Sequence, residues 1–248
     1  MEALKVERLT MEFGGFRALG GLSVAVEAGE RRAVIGPNGA GKTTLFNCVG
    51  GTLRPTAGRV FLFGEEVTGF APFRLAKRGL GRTFQRTSLF PTLSAFENVR
   101  LAAQAAAGTG HAVLTSIDRF PEVDRRAAGA LEAVGLAEVA AARVGELSHG
   151  EQRQLELAVA LATGPRLLLL DEPTAGLSPT ETARMSALLK ALPRDLTVLI
   201  IEHDMDVVLA LADRITVLHA GDLLVEGAPS EVTGHPKVLA AYLGADGP

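Results

Sequence analysis

Two hydrophobic periods alternate along the chain. Leu4-Lys5-Val6-Glu7-Arg8-Leu9 and Leu22-Ser23-Val24-Ala25-Val26 carry apolar side chains at every second position, the spacing of strands with one buried face. With Gly58–Phe63 they predict an antiparallel β patch near the N-terminus, turned at Phe13-Gly14-Gly15-Phe16 and at Glu27-Ala28-Gly29-Glu30. The runs at Arg32–Ile35, Leu167–Leu170 and Thr197–Ile201 are short and continuously apolar toward their ends, as in parallel strands buried on both faces. Leu80–Phe84 predicts a further strand, and Ile215–Leu218 with Leu223–Glu226 a hairpin about Gly221-Asp222. Between Leu89 and Leu147 these patterns stop. Alanine is abundant there, and Pro91, Gly108, Gly110, Pro121 and Gly135 punctuate short helical stretches. Ser94-Ala95-Phe96-Glu97 predicts a capped helix start, Asp124–Val134 a second helix, and Ser148 with Glu151 a capped start for a helix over Gln152–Ala162. Leu45–Val49 reads as the opening of another helix, and Pro236–Leu243 as a terminal one.

Composition narrows the class without naming a function. An apolar share of 47% and a charged share of 21% over 248 residues suit a water-soluble globular protein with a sizeable core. A net charge of −3 with scattered Arg and Lys argues against nucleic acid as the partner. The single cysteine, Cys48, excludes an intrachain disulfide framework and a multi-cysteine metal site, and its place on the helix after residue 44 suggests a small buried thiol rather than a reactive one. Met1–Lys5 lacks the pattern of a signal peptide, and no window reaches the ~18 apolar residues of a membrane span. A membrane role would therefore need another subunit to supply the membrane part.

Candidate chemistry concentrates at strand ends. Gly36-Pro37-Asn38-Gly39-Ala40-Gly41-Lys42-Thr43-Thr44 follows a predicted strand and precedes a predicted helix, the context in which G-x-x-x-x-G-K-[ST] cradles phosphate. Glycines let the backbone approach phosphate oxygens, the helix start adds partial positive charge, Lys42 supplies a point charge for the β/γ-phosphates, and the Thr43 hydroxyl suits Mg²⁺. Leu167–Leu170 ends in Asp171-Glu172-Pro173, two carboxylates that are costly side by side without a cation. Asp171 fits a Mg²⁺ anchor. Glu172, which Pro173 should hold extended, points to the other face and can act on an attacking water. Gln85 and His203 fall just past strand ends, where ligands of α/β sheets bind. Ser148 and Gly150 at a helix start form a potential anion site, and either Phe13 or Phe16 can stack on a flat base or belong to the core.

With these residues in order, the chain resembles the nucleotide-binding subunit of an ABC transporter over essentially its whole length. The resemblance rests on residues 36–43, the Gln85 loop, Leu147-Ser148-His149-Gly150-Glu151, Asp171-Glu172 and His203. Phe13-Gly14-Gly15, Gly81-Arg82-Thr83-Phe84-Gln85, Ala175-Gly176-Leu177-Ser178-Pro179 and Glu202-His203-Asp204-Met205 are similar to the branched-chain amino acid importer branch, near ATPases for urea or short amides and for lipopolysaccharide export.

The resemblance implies an α/β P-loop NTPase fold: a mostly parallel sheet flanked by helices, an N-terminal antiparallel β subdomain and an inserted α-helical subdomain. As one nucleotide-binding domain over 1–248, it would comprise a core of 1–85 plus 152–248 and a helical signature subdomain at 86–151. It implies ATP and Mg²⁺ as ligands and a head-to-tail dimer with an identical or related ATPase subunit, with each ATP between one phosphate loop and the Ser148/Gly150 end of the other copy, Glu151 adjoining. Phe13 is then the adenine-stacking ring, and Gln85 senses Mg²⁺ and the attacking water. Thr43, Gln85 and Asp171 form the metal set, and Glu172, His203, Gln85 and Lys42 the catalytic set. Integral membrane permease subunits would hold the chain at the inner face of the cell membrane, with a solute-binding protein as an indirect partner. Phe90, Leu93 and Val99 are candidates for the permease groove, with ordinary core as the rival. His149 stands where the signature usually has glycine, Glu151 where it has glutamine, and Ser178 where many relatives have aspartate. The rivals are a soluble ABC ATPase, against which the single cassette and the lack of heptads between Gln85 and Ser148 argue, and a P-loop kinase or GTPase acting alone.

Overall fold

The computed structural model describes residues 1–83, 89–108 and 120–243. Strands β1 (Glu2–Phe13) and β2 (Phe16–Glu27) form a long antiparallel hairpin, and β1 also pairs with β4 (Ala57–Leu62), which is followed by β5 (Glu65–Glu66). The sheet order is β2-β1-β4-β5. Both strands run longer than their alternating cores because the tight Gly14-Gly15 turn, with φ of 53° and 91°, lets pairing continue to Phe13 opposite Phe16. Both rings are exposed, at 44% and 66%, so neither belongs to the core.

A second sheet has the order β10-β9-β3-β8-β7-β6. Its centre is β3 (Arg31–Ile35), β8 (Thr197–Ile201) and β7 (Leu167–Asp171), mutually parallel and buried at every position, as continuous apolar runs require. β9 (Arg214–His219) runs parallel to β3 and returns as β10 (Asp222–Gly227). β6 covers only Leu80–Arg82, shorter than the pattern predicts; Phe84 and Gln85 lie outside the described residues.

The chain divides into two compact units, one of Met1–Leu80, Leu167–Glu172 and Pro193–Pro248, the other of Gly81–Arg166 and Pro173–Leu192. The sequence pattern drew this division differently. Residues 81–83, 152–166 and 173–192, placed there in the α/β core, group with the helical unit.

In the first unit, Leu4, Val6 and Leu9 of β1 pack with Phe46 and Val49 of helix α1 (Lys42–Val49) and with Leu167 and Leu169 of β7. Short helices α2 (Pro72–Ala76), α7 (Met205–Leu211), α8 (Pro229–Thr233) and α9 (Pro236–Leu243) complete it. A buried ion network ties β3 to its neighbours. Arg32 donates to Glu30 at 2.5 Å, Thr216 at 2.9 Å and the Ala25 carbonyl at 3.0 Å, and lies 2.6 Å from Glu226.

The second unit is a helical cluster of α3 (Ala95–Ala106), α4 (Pro121–Ala133), α5 (His149–Ala162) and α6 (Pro179–Ala191). Small buried residues, Ala95 and Ala103 of α3, Ala127 of α4 and Ala158 of α5, let the helices approach closely. Ser94 and Glu97 close the predicted capping box. α4 starts at Pro121, three residues earlier than the sequence pattern predicts, because Pro tolerates the first helical position. Of the three groove candidates, Val99 is fully buried on α3 and is core, Leu93 is half-buried, and Phe90 is 56% exposed. Asn98, buried, holds the segment before α3 through both Phe90 peptide groups, at 2.8 and 3.1 Å.

Cys48 is 3% exposed in the core, and burial pushes its thiol up to about 11, so at neutral pH it is protonated as well as shielded. The native protein should resist iodoacetamide at pH 8 and take up one equivalent only once denatured, read by mass spectrometry.

Candidate phosphate-binding site

The loop after β3 is shaped by what surrounds its glycines. A Cβ on Gly36 would run into the Leu218 carbonyl of β9. One on Gly41, at φ 100°, would lie 2.8 Å from the Ala18 carbonyl and 2.9 Å from Leu19 Cδ2 of β2. Gly39, at φ 78°, faces open space instead. The loop is thus pressed at both ends and open in the middle. The Ala40 N–H donates to Pro37, and the Gly221 N–H to Ala40, which holds the curl. Gly41 is the N-cap of α1 and offers no side chain, so the first-turn N–H groups of α1 have no intrahelical acceptor and no capping oxygen. Such a set of inward-aimed donors suits an anion.

Lys42 folds back over this loop and donates to the Gly36 carbonyl at 2.6 Å and the Pro37 carbonyl at 3.1 Å. Burial lowers its pKa, and the nearby Glu172 and Asp171 carboxylates oppose that shift. Asp171 is buried at the carboxyl end of β7, opposite Ile201. Glu172 is half-buried, its N–H donating to the Ile201 carbonyl at 3.0 Å. The backbone of Glu172 is left-handed, φ 50°, not extended as Pro173 led the sequence to suggest. That hydrogen bond and the tight exit from β7 override the residue-before-proline preference. A carboxylate held in this sparsely populated region is the kind of local strain found at reactive sites.

β3, β8 and β7 are neighbours in that order, so the phosphate loop, His203 and the Asp171-Glu172 pair leave the same edge of one parallel sheet. His203 is 66% exposed. Glu202, its side chain fully buried, accepts from the His203 N–H at 3.2 Å and lies 3.9 Å from His203 Nδ1. Sequence reasoning singled out His203 and passed over Glu202, although a carboxylate closing a fully apolar strand was a signal. Tyr242 was also missed. Burial raises its phenol pKa, opposed by a hydrogen bond from the Gly36 peptide. The Thr43 hydroxyl and Asp171 are hard oxygen donors of the sort a divalent cation takes, and they fit Mg²⁺. Among the described residues no cluster of three His, Cys, Asp or Glu side chains forms a separate metal site. Phe13 sits at the exposed tip of the β1–β2 hairpin.

In the helical unit, Ser148 is the N-cap of α5, and its hydroxyl donates to Glu151 at 2.8 Å. The Ser148 N–H and hydroxyl hold Glu151 below the usual carboxylate range, and Arg184 adds to the shift. Gly150 is buried and His149 exposed.

A glycine-capped helix behind a parallel strand, with a lysine and an acidic strand end facing it, defines a P-loop nucleotide-binding protein. The family model for ABC transporters matches residues 19–175, and that for branched-chain amino acid ATP-binding cassette transporters matches residues 223–248. The chain belongs to the ABC transporter family of ATP-binding subunits. It is 43% identical to the high-affinity branched-chain amino acid transport ATP-binding protein BraF of Pseudomonas aeruginosa, covering 97% of both chains. It is 38% identical to LivG, the protein of the same description from Escherichia coli, again over 97% of both. Among solved structures it superposes on an ATP-binding cassette of an ABC transporter in its ADP conformation with TM-score 0.85 and 31% identity, over 98% of this chain and 99% of that one. A dimeric, post-hydrolysis cassette bound to ADP and Pi gives TM-score 0.77 at 28% identity, over 91% of this chain and 98% of that one.

Replacing Lys42 with Ala removes the side-chain charge seated on the Gly36 and Pro37 carbonyls. Calorimetry should show ATP affinity falling by about a hundredfold, the size expected for losing one partner of a desolvated charge pair.

Proposed function

We propose that the chain is the ATP-hydrolysing subunit of an importer for branched-chain or other hydrophobic amino acids. The observation that carries this reading is the single sheet edge holding a glycine-capped phosphate cradle, Lys42, the Asp171-Glu172 pair and His203. The transported class is supported by the match over residues 223–248 and by the names of the relatives.

Hydrolysis is an in-line attack of water on the γ-phosphate. The loop N–H groups and Lys42 hold the β- and γ-phosphates and neutralise their charge. Glu172 orients the water and accepts its proton, its left-handed backbone setting the direction in which the side chain leaves β7. His203, whose backbone N–H is held by buried Glu202, bonds the γ-phosphate through its exposed ring. Mg²⁺, when bound, spreads the developing charge over the phosphate oxygens, and Thr43, Asp171 and Gln85 would hold it, Gln85 lying outside the described residues. Phe13 stacks on adenine, which its exposure permits.

The γ-phosphate receives its last donors, Ser148 and Gly150 beside Glu151, from a second ATPase subunit. Losing one such preorganised donor costs ~3 kcal/mol of barrier, so hydrolysis waits on closure. ATP binds the closed pair better than the open one, and that difference drives the motion. Among the described residues no helix is long and apolar enough to cross a membrane. Permease subunits therefore place the chain at the inner face of the membrane, with exposed Phe90 as the contact and a solute-binding protein delivering the cargo.

Glu172→Gln should bind ATP normally yet accumulate as an ATP-held dimer with turnover reduced at least about a hundredfold; hydrolysis at the parent rate would remove Glu172 from the role of base. Expressed from its own operon with a tag, the chain should co-purify in mild detergent with an integral membrane protein, and Phe90→Ala should weaken that association. Recovery as a purely soluble species under those conditions would favour a non-transport ATPase.

A further inference from the structure

The two residues that the proposed function reserves for a neighbour's γ-phosphate already face carboxylates of their own chain. The Ser148 hydroxyl donates to Glu151 Oε2 at 2.8 Å, and the Ser148 N–H to the same oxygen at 2.8 Å. The carboxylate of Glu181, from the first turn of α6, sits against Gly150, and the Gly150 peptide helps to hold its pKa down. The contact is close. A Cβ on Gly150 would collide with Glu181 Oε1 and lie 2.9 Å from its Cδ. Glu181 is itself fixed, because its Oε2 accepts from the Ser178 N–H at 2.9 Å and the Ser178 hydroxyl at 2.6 Å. Ser178 thus spends its side chain on seating Glu181. Beside these groups lies a cavity of about 100 Å³, bordered by Ser148, Gly150, Glu151, Glu181 and Arg184.

We infer that Glu151 and Glu181 hold the signature end of α5 in a self-occupied state, which the γ-phosphate of ATP on a second copy must displace before the pair closes. The inference rests on the dimer reading above and adds to it a built-in threshold. The two carboxylates sit where a phosphate should go and carry its sign, so they satisfy the donors in the single chain and oppose closure on ATP. The cavity gives the displaced carboxylates room, and the Arg184 guanidinium on its wall gives them a cation. The closing step is therefore an exchange of one anion for another, and its cost is set by residues that never touch the nucleotide in the same chain.

The test uses the full chain in the Glu172→Gln background, titrated with MgATP and followed by light scattering. Glu181→Gln keeps the capping box, since glutamine also serves at that position, and removes only the charge. It should lower the MgATP concentration at half-dimerisation by about tenfold, the effect of one close like charge in a partly solvated site. Its affinity for ADP as a monomer should not change. Arg184→Gln, which removes the receiving cation, should shift the midpoint upward. A merely structural role for Glu181 gives loss of dimer, not gain. An unchanged or raised midpoint in Glu181→Gln, or a lowered one in Arg184→Gln, overturns the inference while leaving the dimer reading intact. Failure of the Glu172→Gln parent to dimerise at any MgATP concentration overturns both.

Discussion

A phosphate cradle must keep several backbone N–H groups without protein acceptors, and everything around the loop at 36–44 follows from that requirement. Unpaired donors are costly when buried, so the loop needs support from outside itself. It receives that support from packing: Gly36 against the Leu218 carbonyl of β9, and Gly41 against Ala18 and Leu19 of β2. The hairpin tip at Gly221 joins both sides, accepting from the Gly20 N–H at 3.0 Å and donating to the Ala40 carbonyl at 3.1 Å. Only glycine leaves room for these approaches, and only glycine takes positive φ at the N-cap without cost. The antiparallel sheet is thus part of the site, because β2 forms one wall of the loop.

Behind the loop, β3 must not slip, since a shift of one residue would turn every side chain of the strand over. Arg32 fixes it. A guanidinium 2% exposed, shared among Glu30, Thr216, Glu226 and the Ala25 carbonyl, binds β3 to strands from both sheets in one register. A buried ion pair of this kind adds little net stability over a well-packed apolar substitute, yet losing one partner costs about 3–5 kcal/mol. Its value here is positional. The strand that delivers Gly36 to Leu218 is held by a polar lock, while β8 beside it and β7 beyond are held by leucine, isoleucine and valine.

Most of the sheet was legible in the sequence because its strands obey simple periods. Three runs bounded by turns gave β3, β7 and β8, and the spacing of their last residues placed Lys42, Asp171, Glu172 and His203 at one edge. What escaped notice depended on tertiary contacts. Proline after Glu172 predicts an extended residue, but the Ile201 carbonyl pulls its N–H into a left-handed turn. Val99 has the apolar character of a groove residue, and only the packing of α3 shows that it is core. Glu202 carried no assigned role in the sequence, and only the fold shows its buried carboxylate 3.9 Å from His203 Nδ1. Phe13 and Phe16 were indistinguishable by position, and the structure exposes both, so the identity of the stacking ring still rests on the family pattern.

Two helix N-termini of the chain answer one physical problem in opposite ways. At α1 the helix N-terminus is left open by a glycine cap, so an anion from outside is needed to satisfy it. At α5 the helix N-terminus is closed by a serine–glutamate box, with a second glutamate from α6 packed against Gly150, so carboxylates of the same chain already occupy it. Were both ends open, two copies would close on any polyanion and release it slowly. Were both closed, neither would bind nucleotide. On the proposed function, one open end gives ATP a strong first site on the single chain, and one self-satisfied end makes the second engagement weak and conditional. A motor that must open again after each hydrolysis needs that asymmetry, because binding energy spent in full on closure would have to be recovered before the next cycle.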